Sequence, residues 1–187
     1  MSRQLRLEDL ARDIPVLTAA AAAFYQENCV VCLVEGGHQS GVALEVLFEG
    51  TSEIVNVQWQ ETVTPQMLRA YADKNKRVDF AACAIALLLI KAFTPYVTIE
   101  QSATGNGIDY IMQRADSDDE LIFNNGAYLE VSGIGVENTA NTIADRLQSK
   151  RRRLQRQAKS ANARVADLPT YICIVEFGTP QAVMVIA

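Results

Sequence analysis

Histidine is almost missing from this chain: one, His38, occurs in 187 residues. It stands in Glu35-Gly36-Gly37-His38-Gln39-Ser40-Gly41, an expected turn between two strands, with no Cys or Ser nucleophile in a recognisable motif beside it. That setting argues against a His-dependent triad and for a loop residue. Cysteine is scarce too. Four, at positions 29, 32, 83 and 173, are too few and too scattered to staple a secreted domain, and no signal-peptide pattern precedes them, so a cytoplasmic location is expected. Cys29 and Cys32 form C-x-x-C without the second pair that a zinc knuckle needs. Their run, Asn28-Cys29-Val30-Val31-Cys32-Leu33-Val34, reads as an apolar strand in which residues three apart point to opposite faces, making both cysteines structural. Long hydrophobic runs are also absent. The most apolar stretch, 81–90, falls well short of the ~20 residues that span a bilayer and reads as a buried helix, so no membrane partner is expected. Positive charge is in deficit: 17 Lys and Arg against 22 Asp and Glu give a net charge of -5, which argues against coating nucleic acid by bulk charge.

What is present is apolar material enough for a sizeable core, 49% of the chain. Residues 1–13 read as a loose or weakly helical arm. An alanine-rich helix is expected over 15–28, with Pro15 in its first turn, followed by a three-strand antiparallel meander over 29–35, 41–48 and 53–59. Trp59 reads as core or interface. Thr64-Pro65 reads as an N-cap and first helical residue, opening a helix to about 74; a more apolar helix covers 78–93 and stops before Pro95. Strands follow at 96–101, 107–113 and 127–134, then a polar helix at 141–160 and strands at 171–177 and 182–186. Residues 1–64 thus form an N-terminal layer and 65–187 an α/β core, together one compact unit.

Among the acids on these strands two stand out: Asp109 in Gly107-Ile108-Asp109-Tyr110-Ile111 and Glu130 in Tyr128-Leu129-Glu130-Val131-Ser132-Gly133. From 78 onward the order is helix, three strands, helix, strand. That order, with acids on its second and third strands, resembles the PD-(D/E)xK, or restriction-endonuclease-like, superfamily over about residues 78–187. The resemblance implies a nuclease-like fold with Asp109 and Glu130 binding Mg²⁺ or Mn²⁺, since hard divalent ions take carboxylate oxygens and a phosphodiester must be neutralised before a nucleophile approaches. The motif lysine, two positions after the Glu, is here Ser132, whose hydroxyl supplies no positive charge. Three substitutes are open: Lys150 or Arg146 reaching in from the following helix, Gln101 orienting water from the first strand, or the metal alone.

Bland readings stand beside these. Asp109 follows Gly105-Asn106-Gly107, and Asp commonly caps such turns. The small residues of Thr104-Gly105-Asn106-Gly107 equally suit close approach of a nucleic-acid backbone. Glu130 shares a face with Tyr128 and Ser132; on a central strand it needs a partner or a metal, whereas on an edge strand it is solvated. Glu100 is either a third ligand or a surface acid. The run from Lys150 to Lys159 is the strongest electrostatic feature, and Arg152, Arg156 and Lys159 share one helical face that can track phosphates. Its plain reading is a solvated face with its charges toward the helix C-terminus. No aromatics interleave for base stacking. The expected function is nucleic-acid binding, DNA or RNA, by a Mg²⁺-dependent phosphodiesterase with a degenerate site; the alternative is a non-catalytic accessory or immunity module on the same fold, working through protein contacts. On the nucleic-acid reading the meander of 29–59 covers the sheet or forms a homodimer interface.

Overall fold

The apolar run 29–35 is helix, not strand. It completes helix α2 (Ala19–Glu35), which starts at Thr18, whose side chain accepts a hydrogen bond from the Ala21 N–H at 3.2 Å. Pro15 lies before that cap. Cys29, Val30, Val31, Cys32 and Leu33 are all buried, so this stretch of the helix is covered on every side and the run shows no one-sided apolar stripe. A short, wholly apolar run has the same pattern as a buried strand, and only its continuity with the alanine segment separates the two. Asn28, expected near the helix end, is accommodated inside it: its amide donates to the Phe24 carbonyl at 2.7 Å. Gly36 and Gly37 end the helix, Gly37 at a φ of 84° that favours glycine.

The computed structural model describes residues 3–102, 108–116, 125–160 and 168–187, with 157–160 by their backbone alone. The N-terminal arm is ordered into strand β1 (Arg3–Arg6) and helix α1 (Asp9–Asp13). After α2 come β2 (Val42–Phe48), β3 (Thr51–Gln58), α3 (Pro65–Ala70) and α4 (Lys74–Phe93). Strands β4 (Tyr96–Gln101), β5 (Tyr110–Arg114) and β6 (Gly126–Ile134), helix α5 (Ile143–Ser160), and strands β7 (Thr170–Glu176) and β8 (Gln181–Ile186) complete the described chain. The eight strands make one mixed sheet in the order β1-β3-β2-β8-β7-β6-β5-β4. The expected three-strand meander is a β2–β3 hairpin flanked by β1, which pairs with β3 in parallel. It does not cover the sheet: parallel pairing of β2 with β8 makes it an in-plane extension, joining the two expected layers into a single sheet.

From α4 onward the chain runs through an antiparallel β4–β5–β6 meander and returns through α5 to β7, which lies parallel to β6. Asp73 caps α4, its carboxylate accepting from the N–H groups of Asn75 and Lys76 at 3.2 Å each, and Thr94 closes the helix by donating its hydroxyl to the Ile90 carbonyl at 2.7 Å. Small residues at 81, 82, 84 and 86 let α4 settle between α2 and the sheet, where it meets Leu129, Val131 and Cys173 in the main core. On the opposite face, α5 rests on Ile134, Ile172 and Ile174 through Ile143, Leu147 and Leu154. Thr142 starts α5, accepting from the Asp145 N–H at 3.1 Å while its hydroxyl donates to the Asp145 carboxylate at 2.7 Å.

The residues singled out in the N-terminal half, His38, Cys29, Cys32 and Trp59, lie in structural settings. His38 lies between α2 and β2, and its Nε2–H points at the carbonyls of Phe177 and Gly178, 3.0 and 3.1 Å away, tying that loop to the β7–β8 turn. Cys29 and Cys32 are buried on one helix, and burial pushes the Cys32 thiol up to about 11. Trp59 is core, 7% exposed. Among the described residues no helix is long and apolar enough to cross a membrane.

Candidate functional site

Strand β6 lies inside the sheet and is buried along its whole length, with β7 on one side and β5 on the other. Alternate backbone groups of a strand point to the same neighbour, so those of Leu129, Val131 and Gly133 all face β5. The first of them is met by backbone: the Leu129 carbonyl accepts from the Asp109 N–H at 2.9 Å. Beyond it β5 has departed and β6 continues. Side chains take over there: the Asp109 carboxylate accepts from the Val131 N–H at 2.7 Å, Lys150 Nζ donates to the Val131 carbonyl at 3.1 Å, and the Asp79 carboxylate accepts from the Gly133 N–H. The parting of β5 from β6 thus opens a notch closed by charged groups from α4, the β5 approach and α5.

Glu130 forms the floor of this notch. It is fully buried on an interior strand, which removes the solvated-edge reading, and its partners come from α5: Lys150 and Arg153 both donate to its Oε1. Oε2 is buried with no hydrogen-bond partner. Burial, aided by the neighbouring Asp109 charge, raises the pKa of Glu130, while Lys150 and Arg153 oppose the shift. Ser132, on the same face, accepts from Arg146 at 3.4 Å, and Arg146 is held in turn by Asn141 at 2.6 Å. Asp79 is an exposed residue whose carboxyl end is partly shielded against β6, and that burial raises its pKa. Gly133 is required at this point, because a Cβ would overlap the Val78 carbonyl and approach Val78 Cγ1 to 2.6 Å.

The expected residues therefore divide. Asp109, Glu130, Ser132, Lys150 and Arg146 converge on the notch. Gln101 lies exposed at the end of β4, in register with Tyr110, and Glu100 beside it is exposed as well. Arg152 and Arg156 are exposed on the outer side of α5, where Arg156 Nε donates to the Arg152 carbonyl at 3.3 Å. The side chain of Lys159 and the Thr104–Gly107 approach lie outside the described residues. Sequence reasoning missed Asp79 and Arg153. Asp79 is the single acid of the apolar helix, but near its start a solvated charge reads as readily as a functional one. Arg153 was legible in principle: the apolar stripe Ile143, Leu147, Leu154 passes through position 150, which turns Lys150 and its neighbours 146 and 153 toward the sheet.

The group fits a divalent cation in its chemistry, offering carboxylate oxygens and, in Glu130 Oε2, a buried acceptor without a donor. Among the described residues there is no ready-made cluster of three or more His, Cys, Asp or Glu placed to hold a metal ion. Compared with known protein families, curated proteins and solved structures, the chain matches none.

Proposed function

We propose that this is a cytoplasmic nucleic-acid-binding protein on a restriction-endonuclease-like scaffold, with the notch between β5 and β6 as a Mg²⁺-dependent phosphodiester-cleaving centre. The observation that carries the reading is Lys150. It arrives from the crossover helix at Glu130 and the Val131 carbonyl, bringing to the notch the positive charge that Ser132 does not supply. Mg²⁺ or Mn²⁺ held by Asp109 and Glu130 would polarise a phosphoryl oxygen and lower the pKa of a bound water. Lys150 then stabilises negative charge on the attacking oxygen or the phosphate, and Arg146 steadies Ser132 beside it. Exposed Arg152 and Arg156 offer the outer side of α5 to the phosphate backbone.

A second reading, a non-catalytic accessory or immunity module that binds a partner protein, draws on the same notch. Asp109, Lys150 and Asp79 each bind a backbone group of β6 that β5 leaves open, which is reason enough for charged side chains there. The two readings part on Mn²⁺ binding, measured by electron paramagnetic resonance on the wild type and on Asp109→Asn and Glu130→Gln. Site-specific binding lost in both variants supports the metal centre. Cleavage of DNA and RNA substrates, abolished by Lys150→Met, completes the test. No binding with or without nucleic acid leaves the interaction module.

A further inference from the structure

The unusual feature of the notch is that two cations share one carboxylate oxygen while the other oxygen has none. Side-chain exposure rises from Glu130 at 1% through Lys150 at 19% to Arg153 at 43%. The acid is thus the floor and the cations lie outward of it. Lys150 and Arg153 are also the right chemistry for a phosphodiester, but each is spent on an internal partner. Counting the charged groups of the notch, Asp79, Asp109 and Glu130 balance Arg146, Lys150 and Arg153. A phosphate approaching this arrangement meets no net positive charge.

We propose that Lys150 and Arg153 are gated phosphate ligands: Glu130 holds both in the absence of metal, and a divalent cation taking its carboxylate releases them to grip a phosphodiester. This rests on the functional reading above. A metal ion on Oε2 and two N–H donors on Oε1 share the charge of one carboxylate, so binding of the ion weakens both ion pairs. The ion also tips the balanced notch to a surplus of two positive charges, which favours an anion. Lys150 keeps its hold on the Val131 carbonyl and so stays at the notch, while Arg153 is the longer and more exposed of the two. Metal and nucleic acid then bind with positive coupling, each raising the affinity of the other by the same factor.

The test uses the full chain, Mn²⁺ alone by paramagnetic resonance, and labelled phosphorothioate DNA and RNA duplexes, which resist cleavage, by fluorescence anisotropy at fixed salt. Lys150→Met and Arg153→Gln should each bind Mn²⁺ alone about 5-fold tighter than wild type or more, and each should lose coupling between Mn²⁺ and duplex. Without metal, Glu130→Gln should tighten duplex binding more than Asp109→Asn does, since both remove one negative charge but only the first frees the two cations. Thermal melting checks that each variant is folded, and Arg153→Gln, at the more exposed position, stands in if Lys150→Met is not. If the cation variants bind Mn²⁺ no tighter than wild type, or Glu130→Gln and Asp109→Asn act alike, the gate is overturned while the metal centre stands. If neither wild type nor variants bind Mn²⁺ with or without duplex, the functional reading itself falls.

Discussion

Helices α4 and α5 flank the same strand, β6, by opposite means. α4 meets it with an apolar surface in which 81–82 and 84–90 are buried, and Gly133 lets the backbone of Val78 come into contact. α5 has a short apolar stripe at Ile143, Leu147 and Leu154, and beside it Arg146, Lys150 and Arg153 reach Ser132 and Glu130. Apolar burial is favourable wherever it is dry, whereas a buried carboxylate costs desolvation that its partners only partly return. The α4 side accordingly holds the fold, and the α5 side keeps a polar interior that stability alone does not require.

The comparison breaks first on Leu89. It is fully buried in the main core, so Leu89→Ala should lower stability by about 2–5 kcal/mol in denaturant unfolding. A loss below about 1 kcal/mol would mean that α4 is not the anchor. A smaller effect is expected on the other side. Lys150→Met alone leaves Glu130 with Arg153 and should cost about 1.5–3 kcal/mol. Adding Glu130→Leu should restore stability to near or above wild type, because replacing a buried ion pair by apolar groups of similar volume is often neutral or stabilising. Failure to recover would show that the ionic face is needed for the fold as well.

The smallest effect is in pH. Asp79 and Glu130, raised by burial, bind protons more tightly in the folded than in the unfolded chain, so their contribution is lost as pH rises through the raised values. Asp13 behaves oppositely: hydrogen bonds from Arg12 and Lys91 lower it from 3.8 to about 2, and the stability it confers is lost as pH falls across that interval. Thermal melting from pH 8 downward should therefore show stability rising, then falling below about 4. Asp79→Asn should flatten the rise and Asp13→Asn the fall, each by under about 1 kcal/mol. A rise unchanged in Asp79→Asn would place the proton elsewhere.

Much of the fold was legible where local rules act undisturbed. Thr64-Pro65 opens α3 as expected, Pro95 follows the end of α4, and strands β4, β6 and β8 fall close to their apolar runs. The error at 29–35 arose where both sides of an element are buried and the periodic signal vanishes. The β1–β3 pairing was invisible because it joins residues some fifty positions apart, and four residues with a single apolar side chain carry no strand pattern. At the site, Asp109, Glu130 and the substitution at 132 could be read directly. The inward turn of Lys150 was one of three open routes, and Asp79 required the fold.

The sequence by itself determined the alternation of helix and strand, the two acids on neighbouring segments of the meander, and the absence of a lysine after Glu130. Those properties are local, fixed by side-chain period, caps and residue identity. Tertiary structure alone decided that pairing with β5 stops at Leu129 while β6 runs on, that Glu130 lies on an interior strand, and that its partners are Lys150 and Arg153. These depend on which strands become neighbours and which face of α5 meets them. That choice is made by burying apolar surface across the whole sheet, a sum over distant residues that no single segment carries.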